Sequence, residues 1–131
     1  MISWKYLSQF NETKPPQETL FRTKEIHDKY ESFRESLTVP VAEYLQMTLF
    51  GNQDSCDYNY RLNDFPYNTE ETITHYILWI NPKSYQKTSR EVKSIIRGKV
   101  KVKNMNVIYF MNVPKNRSVM DIPHYHIFTK S

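Results

Sequence analysis

Ile26, Tyr30, Phe33 and Leu37 stand at steps of four, three and four, with Glu25, Asp28, Lys29, Glu31, Arg34 and Glu35 between them. Apolar residues at that spacing share one face of a 3.6-residue turn, so residues 19–37 read as an amphipathic helix lying on a core. Upstream, Trp4 and Leu7 mark an ordered start over residues 2–7, broken at residues 11–16. Thr38 can cap a second helix, with Pro40 in its first turn, Val41, Leu45 and Leu49 as its stripe and Gly51 as its stop. After Gly51 the period changes. Residues 52–57 are polar and turn-like, and then Tyr58, Tyr60 and Leu62 alternate with Asn59 and Arg61, the mark of a short strand with one buried face. Residues 63–68 form a structured loop. The stretch Ile73–Ile80 is almost continuously apolar and predicts a central strand, ended by Asn81 and Pro82. Val92, Ile95 and Ile96 place a third helix over residues 84–98, with Thr88 or Ser89 as its cap. Two more strands follow at 107–112 and 125–129, joined by the Pro-containing segment 113–123. The order α-α-β-β-α-β-β predicts one α+β domain over residues 1–131, with helices packed on one face of a roughly four-stranded, mainly antiparallel sheet.

Composition narrows the class. A chain of 131 residues can bury one core without a disulfide or metal. The single Cys56 has no intrachain partner, which fits a reducing, cytoplasmic setting. No apolar leader opens the chain, and the longest apolar runs, at 76–80 and 107–111, fall far short of the ~20 residues that span a bilayer. A membrane protein is therefore not expected. The net charge of +4 is unevenly spread: residues 1–66 sum to −3 and residues 67–131 to +7. Between Lys83 and Arg117 ten basic residues face Glu91 alone. Such a segment attracts a nucleic acid backbone, a phosphorylated metabolite or an acidic protein, or is simply a solvated basic face.

Candidate chemistry lies in the histidines. His75 falls in the predicted central strand, while His124 and His126 flank Tyr125 at the last one. Residues two apart on a strand point the same way, so His124 and His126 share a face, and His75 joins them if its strand is a neighbour. His27 sits on the polar side of the first long helix and reads as a surface residue. Three readings stay open. The histidines could hold a divalent metal at His124 and His126, completed by His75, Asp64 or Asp121. They could carry metal-independent phosphoester chemistry, one imidazole as general base and another as general acid. Or they could be structural, satisfying buried backbone groups.

The segment Pro123-His124-Tyr125-His126-Ile127-Phe128 is similar to one arm of the histidine-triad hydrolases, but Phe128 stands where the third His belongs. The paired-histidine phosphoesterases require Thr or Ser two residues after each His, where this chain has Ile77 and His126. A fuller resemblance rests on three boxes in order: Leu62-Asn63-Asp64-Phe65-Pro66-Tyr67, then His75-Tyr76-Ile77-Leu78-Trp79, then the closing His124 segment. Together with Trp4, Leu20, Arg22, Tyr30 and Phe33 near the start, this resembles the domain-of-unknown-function family typified by the fungal N-acetylglucosamine-induced protein 1. Phe65 replaces the family's usual Trp, and Asn68 its usual Gly. The resemblance implies a shared site at Asn63, Asp64, Pro66, Tyr67, His75, His124 and His126, carries no settled activity, and hints at amino-sugar metabolism. An Asn-, Lys-, Ile- and Tyr-rich chain also suits an AT-rich genome such as that of a large DNA virus, acting in the host cytoplasm.

The expected protein is thus a small domain with a histidine-lined pocket for a nucleotide or phosphorylated sugar. His124 or His126 would be general base and His75 general acid or phosphate ligand. Asp64 would orient a histidine from an Asx turn that begins at Asn63, and Tyr67 would offer its hydroxyl at the rim. Arg61, Arg90, Arg97 and Lys99 would stabilise charge. The alternative is a non-enzymatic binding protein whose basic segment 83–117 contacts nucleic acid or an acidic partner.

Overall fold

A computed structural model of the chain describes residues 1–51, 56–84, 87–100 and 106–131. Helix α1 (Trp4–Leu7) starts where the Ser3 side chain accepts a hydrogen bond from the Tyr6 N–H, and it buries Leu7 completely. Helix α2 (Lys24–Ser36) begins later than the expected residue 19, because Thr23 is the cap, its Oγ1 accepting from the Ile26 N–H at 3.2 Å. Residues 20–22 stay outside the helix: the Phe21 carbonyl is used by the Asn68 N–H and Leu20 enters the core. Helix α3 (Val41–Leu45) follows Pro40, and Thr38 does not cap it. It widens into a π-helical turn, Gln46–Phe50, that buries Leu49 and Phe50 together and stops at Gly51 with φ 62°.

Strands β1 (Tyr58–Leu62), β2 (Ile73–Ile80), β3 (Asn106–Phe110) and β4 (His124–Lys130) form one antiparallel sheet in the order β1-β2-β4-β3. The α+β class and four-stranded antiparallel sheet are as expected. Strand β4 inserts between β2 and β3, in a register that pairs His75 with Phe128, Ile77 with His126 and Trp79 with His124. That register puts all three histidines on one face, as strand periodicity requires.

Each face has its own cover. The histidine face packs Ile73, Phe110 and Phe128 on Leu7, Leu20 and Tyr67 at one end, and Ile77 and Trp79 on Leu49, Phe50, Val119 and Ile122 at the other. Helices α1 and α3 thus lie on this side. Helix α4 (Ser89–Lys99) lies on the opposite face, where Val92 and Ile96 cover Leu78, Ile80 and Ile127. It opens with a capping box in which Thr88 and Glu91 exchange bonds. The arrangement expected on one face therefore holds for the N-terminal helices, while the basic helix crosses to the other. No described helix is long and apolar enough to cross a membrane.

Phe128 is fully buried between β2 and β3, stacked on the His75 ring at 4.4 Å between centroids. Truncating Phe128 to Ala should cost roughly 3–5 kcal/mol, read as a lowered urea midpoint with an unchanged m-value.

Candidate functional site

The histidine face is organised by a chain of hydrogen bonds. The Tyr67 backbone N–H donates to His75 Nδ1 at 3.2 Å, and His75 Nε2 lies 2.9 Å from His126 Nδ1. A backbone N–H cannot reverse, so His75 Nδ1 is the acceptor and the His75 proton sits on Nε2. It follows that His75 donates to His126 Nδ1 and that the His126 proton sits on Nε2. That nitrogen faces Asn112 at 3.2 Å and the Tyr67 hydroxyl at 3.4 Å. The Asn112 side chain also reaches the Tyr67 hydroxyl at 3.0 Å. The Tyr67 hydroxyl oxygen, which accepts from Asn112 Nδ2, is an acceptor beside His126 Nε2 and closes the relay.

Both imidazoles of this relay are neutral. Burial, followed by the Arg22 charge, pulls the His75 pKa down to about 3. Burial, then the charges of His75, His124 and Arg22, holds His126 well below its ordinary value. A protonated His75 acting as general acid near neutral pH is therefore incompatible with its surroundings. Tyr67 is buried as well, its hydroxyl pushed up by burial and turned inward to Asn112. The rim position expected for it is overturned, because its ring is needed to cover His75 and His126 at centroid distances of 4.8 and 5.1 Å.

His124 differs. Its Nδ1 meets the Ile122 carbonyl at 2.9 Å, which places the proton there and leaves Nε2 as a lone-pair nitrogen. Its ring packs on Trp79 at 4.7 Å, and burial lowers its pKa, so it is neutral at physiological pH. It lines a cavity of about 430 Å³ over the histidine face. Trp79, Ile77 and His126 join His124 on the floor; Tyr30 and Phe33 of α2, Tyr44, Leu45 and Leu49 of the third helix, and the 61–65 loop make the walls.

Arg22 is set into that wall. Its Nε donates to the Phe65 carbonyl at 2.8 Å, and its guanidinium lies 4.6 Å from the centre of the Tyr30 ring. Among the described residues no carboxylate pairs with it.

Several expected site residues lie elsewhere. Asn63 does form the Asx turn, its Oδ1 accepting from the Phe65 N–H at 2.9 Å, and its amide sits 3.4 Å from the His75 ring nitrogens. Asp64 does not orient a histidine: its side chain is 68% exposed and reaches Arg61 at 3.7 Å, both on the cavity rim. Arg90, Arg97 and Lys99 are exposed on α4, on the far side of the sheet from the histidines, and cannot serve this site. Lys101 and Lys103 lie outside the described residues. Among the described residues of the basic segment, Arg117 comes beside the relay, its Nε donating to the Asn112 carbonyl at 2.7 Å. His27 is exposed, as expected. For a metal at His124 and His126, no described group of three or more His, Cys, Asp or Glu side chains is placed to hold an ion, since Asp64 and Asp121 point to solvent and His75 and His126 bond each other.

The residues missed from sequence are Arg22, Tyr30, Asn112 and Trp79. Arg22 and Tyr30 belong to the resemblance, yet only folding shows that they face the cavity.

An antiparallel α+β domain with a cleft over a neutral histidine relay defines a protein class by its architecture. The chain belongs to the family described as protein of unknown function DUF3605, which it matches over residues 3–130. The crystal structure of HTC1 is similar in fold, with a TM-score of 0.64 and 20% sequence identity over 100% of this chain and 86% of HTC1. No curated protein matches the chain.

The relay has a pH signature. The unfolded chain takes up a histidine proton below pH 6.5 that folded His75 refuses until about pH 3, so stability should fall as pH drops through that window. Urea midpoints measured from pH 7 to pH 4 should fall for the wild type and fall less steeply for His75→Gln. A flat wild-type profile would contradict the neutral relay.

Proposed function

We propose that the cleft above β2 and β4 binds an anionic phosphorylated ligand, a nucleotide or a phosphorylated sugar, and that His124 is the group poised to act on it. The observation that carries this reading is Arg22, a half-buried guanidinium on the wall of a ligand-sized cavity, with no described carboxylate to balance it. A partly desolvated guanidinium favours an anion, and its planar fork matches phosphate oxygens. The resemblance to the N-acetylglucosamine-induced family supports an amino-sugar phosphate as one such ligand. The half-buried thiol of Cys56, directed to the Tyr58 carbonyl at 3.6 Å, suits a reducing cytoplasm.

If the ligand is turned over, the reaction is phosphoester hydrolysis. His124 Nε2 takes a proton from water as the water oxygen forms a bond to phosphorus. The bond to the leaving alcohol breaks, and the alcohol receives the proton from His124. Arg22 and Arg61 neutralise the charge on the phosphoryl oxygens. His126 and His75 hold the floor and do not exchange protons with the ligand.

His124→Ala should abolish turnover of phosphoester substrates while leaving the far-ultraviolet circular dichroism unchanged. Arg22→Met should weaken phosphate-ligand binding by about tenfold or more. Full activity in His124→Ala would eliminate the hydrolytic role.

A second reading is favoured by the placement of α4. Arg90, Arg97 and Lys99 form a basic surface on the opposite face, independent of the cleft and fit for a nucleic acid or an acidic partner. If it binds nucleic acid, affinity should drop steeply with salt, and neutralising Arg90, Arg97 and Lys99 should flatten the slope of log K against log salt by about one per lost phosphate contact.

A further inference from the structure

We infer that the groove between α4 and the edge strand β3 holds an unpaired strand of nucleic acid, its phosphates on the row Arg90, Lys93 and Arg97 and one base on the Tyr109 ring. This rests on reading α4 as a basic surface for a nucleic acid, and the site is separate from the histidine cleft.

The row follows from helix geometry. Val92 and Ile96 are buried against the sheet, and Lys93 and Arg97 each stand one residue further on, so both lie on one flank of the helix, where they are exposed. Arg90, three residues before Lys93 and seven before Arg97, extends the same flank and is exposed too. Glu91 falls on the other flank by the same period, and its carboxylate accepts from Thr88. Three cations thus run along about 10 Å of helix. That length matches a polyanion better than the single phosphate of a small metabolite.

Two of the three line a groove. Lys93, Ile96, Arg97 and Val100 form one wall of a cavity of about 440 Å³, and Asn106, Val107 and Tyr109 of β3 form the other. Strand β3 is an edge of the sheet, so the groove lies where the described strands end. Its volume is within the range of sites for small organic groups, which leaves room for one unstacked nucleotide.

Tyr109 is held as a platform. Its hydroxyl donates to Glu12 Oε2 at 2.9 Å, and its ring meets that of Tyr125 edge-on with centroids 6.3 Å apart. Burial, then the Glu12 bond, pushes the hydroxyl up to about 12, so it stays neutral and does not repel a phosphate strand. Glu12 gives the groove a polarity. Its negative charge keeps phosphates off the Tyr109 side and on the α4 wall, which turns the base toward the ring.

A duplex does not meet these groups as well. Its bases cover one another's faces, whereas an unpaired strand offers a base face to an aromatic ring and its backbone to Lys and Arg. An acidic protein segment would use the row and leave the ring idle.

The test is fluorescence anisotropy of the full chain with a labelled oligothymidylate of about twelve nucleotides, with the same strand annealed to oligoadenylate, and with labelled polyglutamate. The single strand should bind at least about tenfold more tightly than the duplex. Tyr109→Leu should weaken the single strand about tenfold, and Tyr109→Phe should bind as the wild type does. Both variants lose the Glu12 bond, so the difference between them reports the ring. Replacing Arg90, Lys93 and Arg97 by Gln should flatten the slope of log K against log salt by about 0.7 per lost phosphate contact. Wild-type affinity in Tyr109→Leu, an equal loss in Tyr109→Phe, or a duplex bound as tightly as the single strand would overturn the stacking site while the basic-surface reading stands. If polyglutamate binds and neither nucleic acid does, the partner is an acidic protein and the nucleic-acid proposal falls. If no polyanion binds, the basic-surface reading falls with it.

Discussion

The hydrogen bond between His75 and His126, 2.9 Å long and spanning β2 and β4, is the constraint on which the rest of the site depends. Its direction is set by the Tyr67 N–H, a donor with no freedom to reverse. That one fixed donor decides which nitrogen of each ring carries the proton, and hence that His126 Nε2 is a donor beside the Tyr67 hydroxyl. Two loops are tied to the sheet in consequence: the 63–67 turn through Tyr67 and Asn63, and the segment after β3 through Asn112 and Arg117. These loops border the cleft. The relay is thus a polar network whose members satisfy one another, and a network of that kind specifies one arrangement of the core more sharply than apolar packing would.

The two faces of the sheet divide the charge. The +7 of residues 67–131 suggests a basic site beside the histidines when read along the chain. In three dimensions the helix that holds much of it packs Val92 and Ile96 on the other face. The positive charge that reaches the cleft comes mainly from Arg22 and Arg61. Both are residues of the acidic half of the chain. Net charge by segment describes long-range attraction, whereas a site is governed by the few charges that burial leaves without partners.

That distinction explains what was legible from residues alone. Periodicity located the strands well, because a strand largely buried on both faces, like Ile73–Ile80, is almost continuously apolar and ends at Asn81-Pro82. It also put His124 and His126 on one face, since a period of two admits no other result. The Thr88 cap of α4 was readable, although the helix was expected to start four residues before that cap, and α2 starts at Lys24 behind the Thr23 cap rather than at residue 19. The Asx turn at Asn63 was readable because its cause is local. The face taken by α4, the inward turn of Tyr67 and the exposure of Asp64 were not, for each is settled by tertiary packing. Tyr30 shows the limit most clearly. Its spacing marks it as an apolar position, and so it is by ring burial, but nothing local says that its hydroxyl will find no partner.

Satisfaction of polar groups then separates architecture from site. His75, His126, Tyr67 and Asn112 are buried and mutually bonded; substituting any of them breaks a network, and the loss would appear as instability whatever the protein binds. His124 spends one nitrogen on Ile122 and keeps the other, Arg22 spends one of three, and Tyr30 spends none. Arg22 and His124 line one cavity, whereas the Tyr30 hydroxyl is closed off by burial. Arg22 and His124 each hold one carbonyl of the fold and keep further nitrogens that folding does not use. On the proposed reading of the cleft, a ligand that accepts from Arg22 and presents a proton to His124 uses the bonding capacity that folding leaves open, which is the ground for treating the histidine pair as scaffold and His124 as the candidate imidazole.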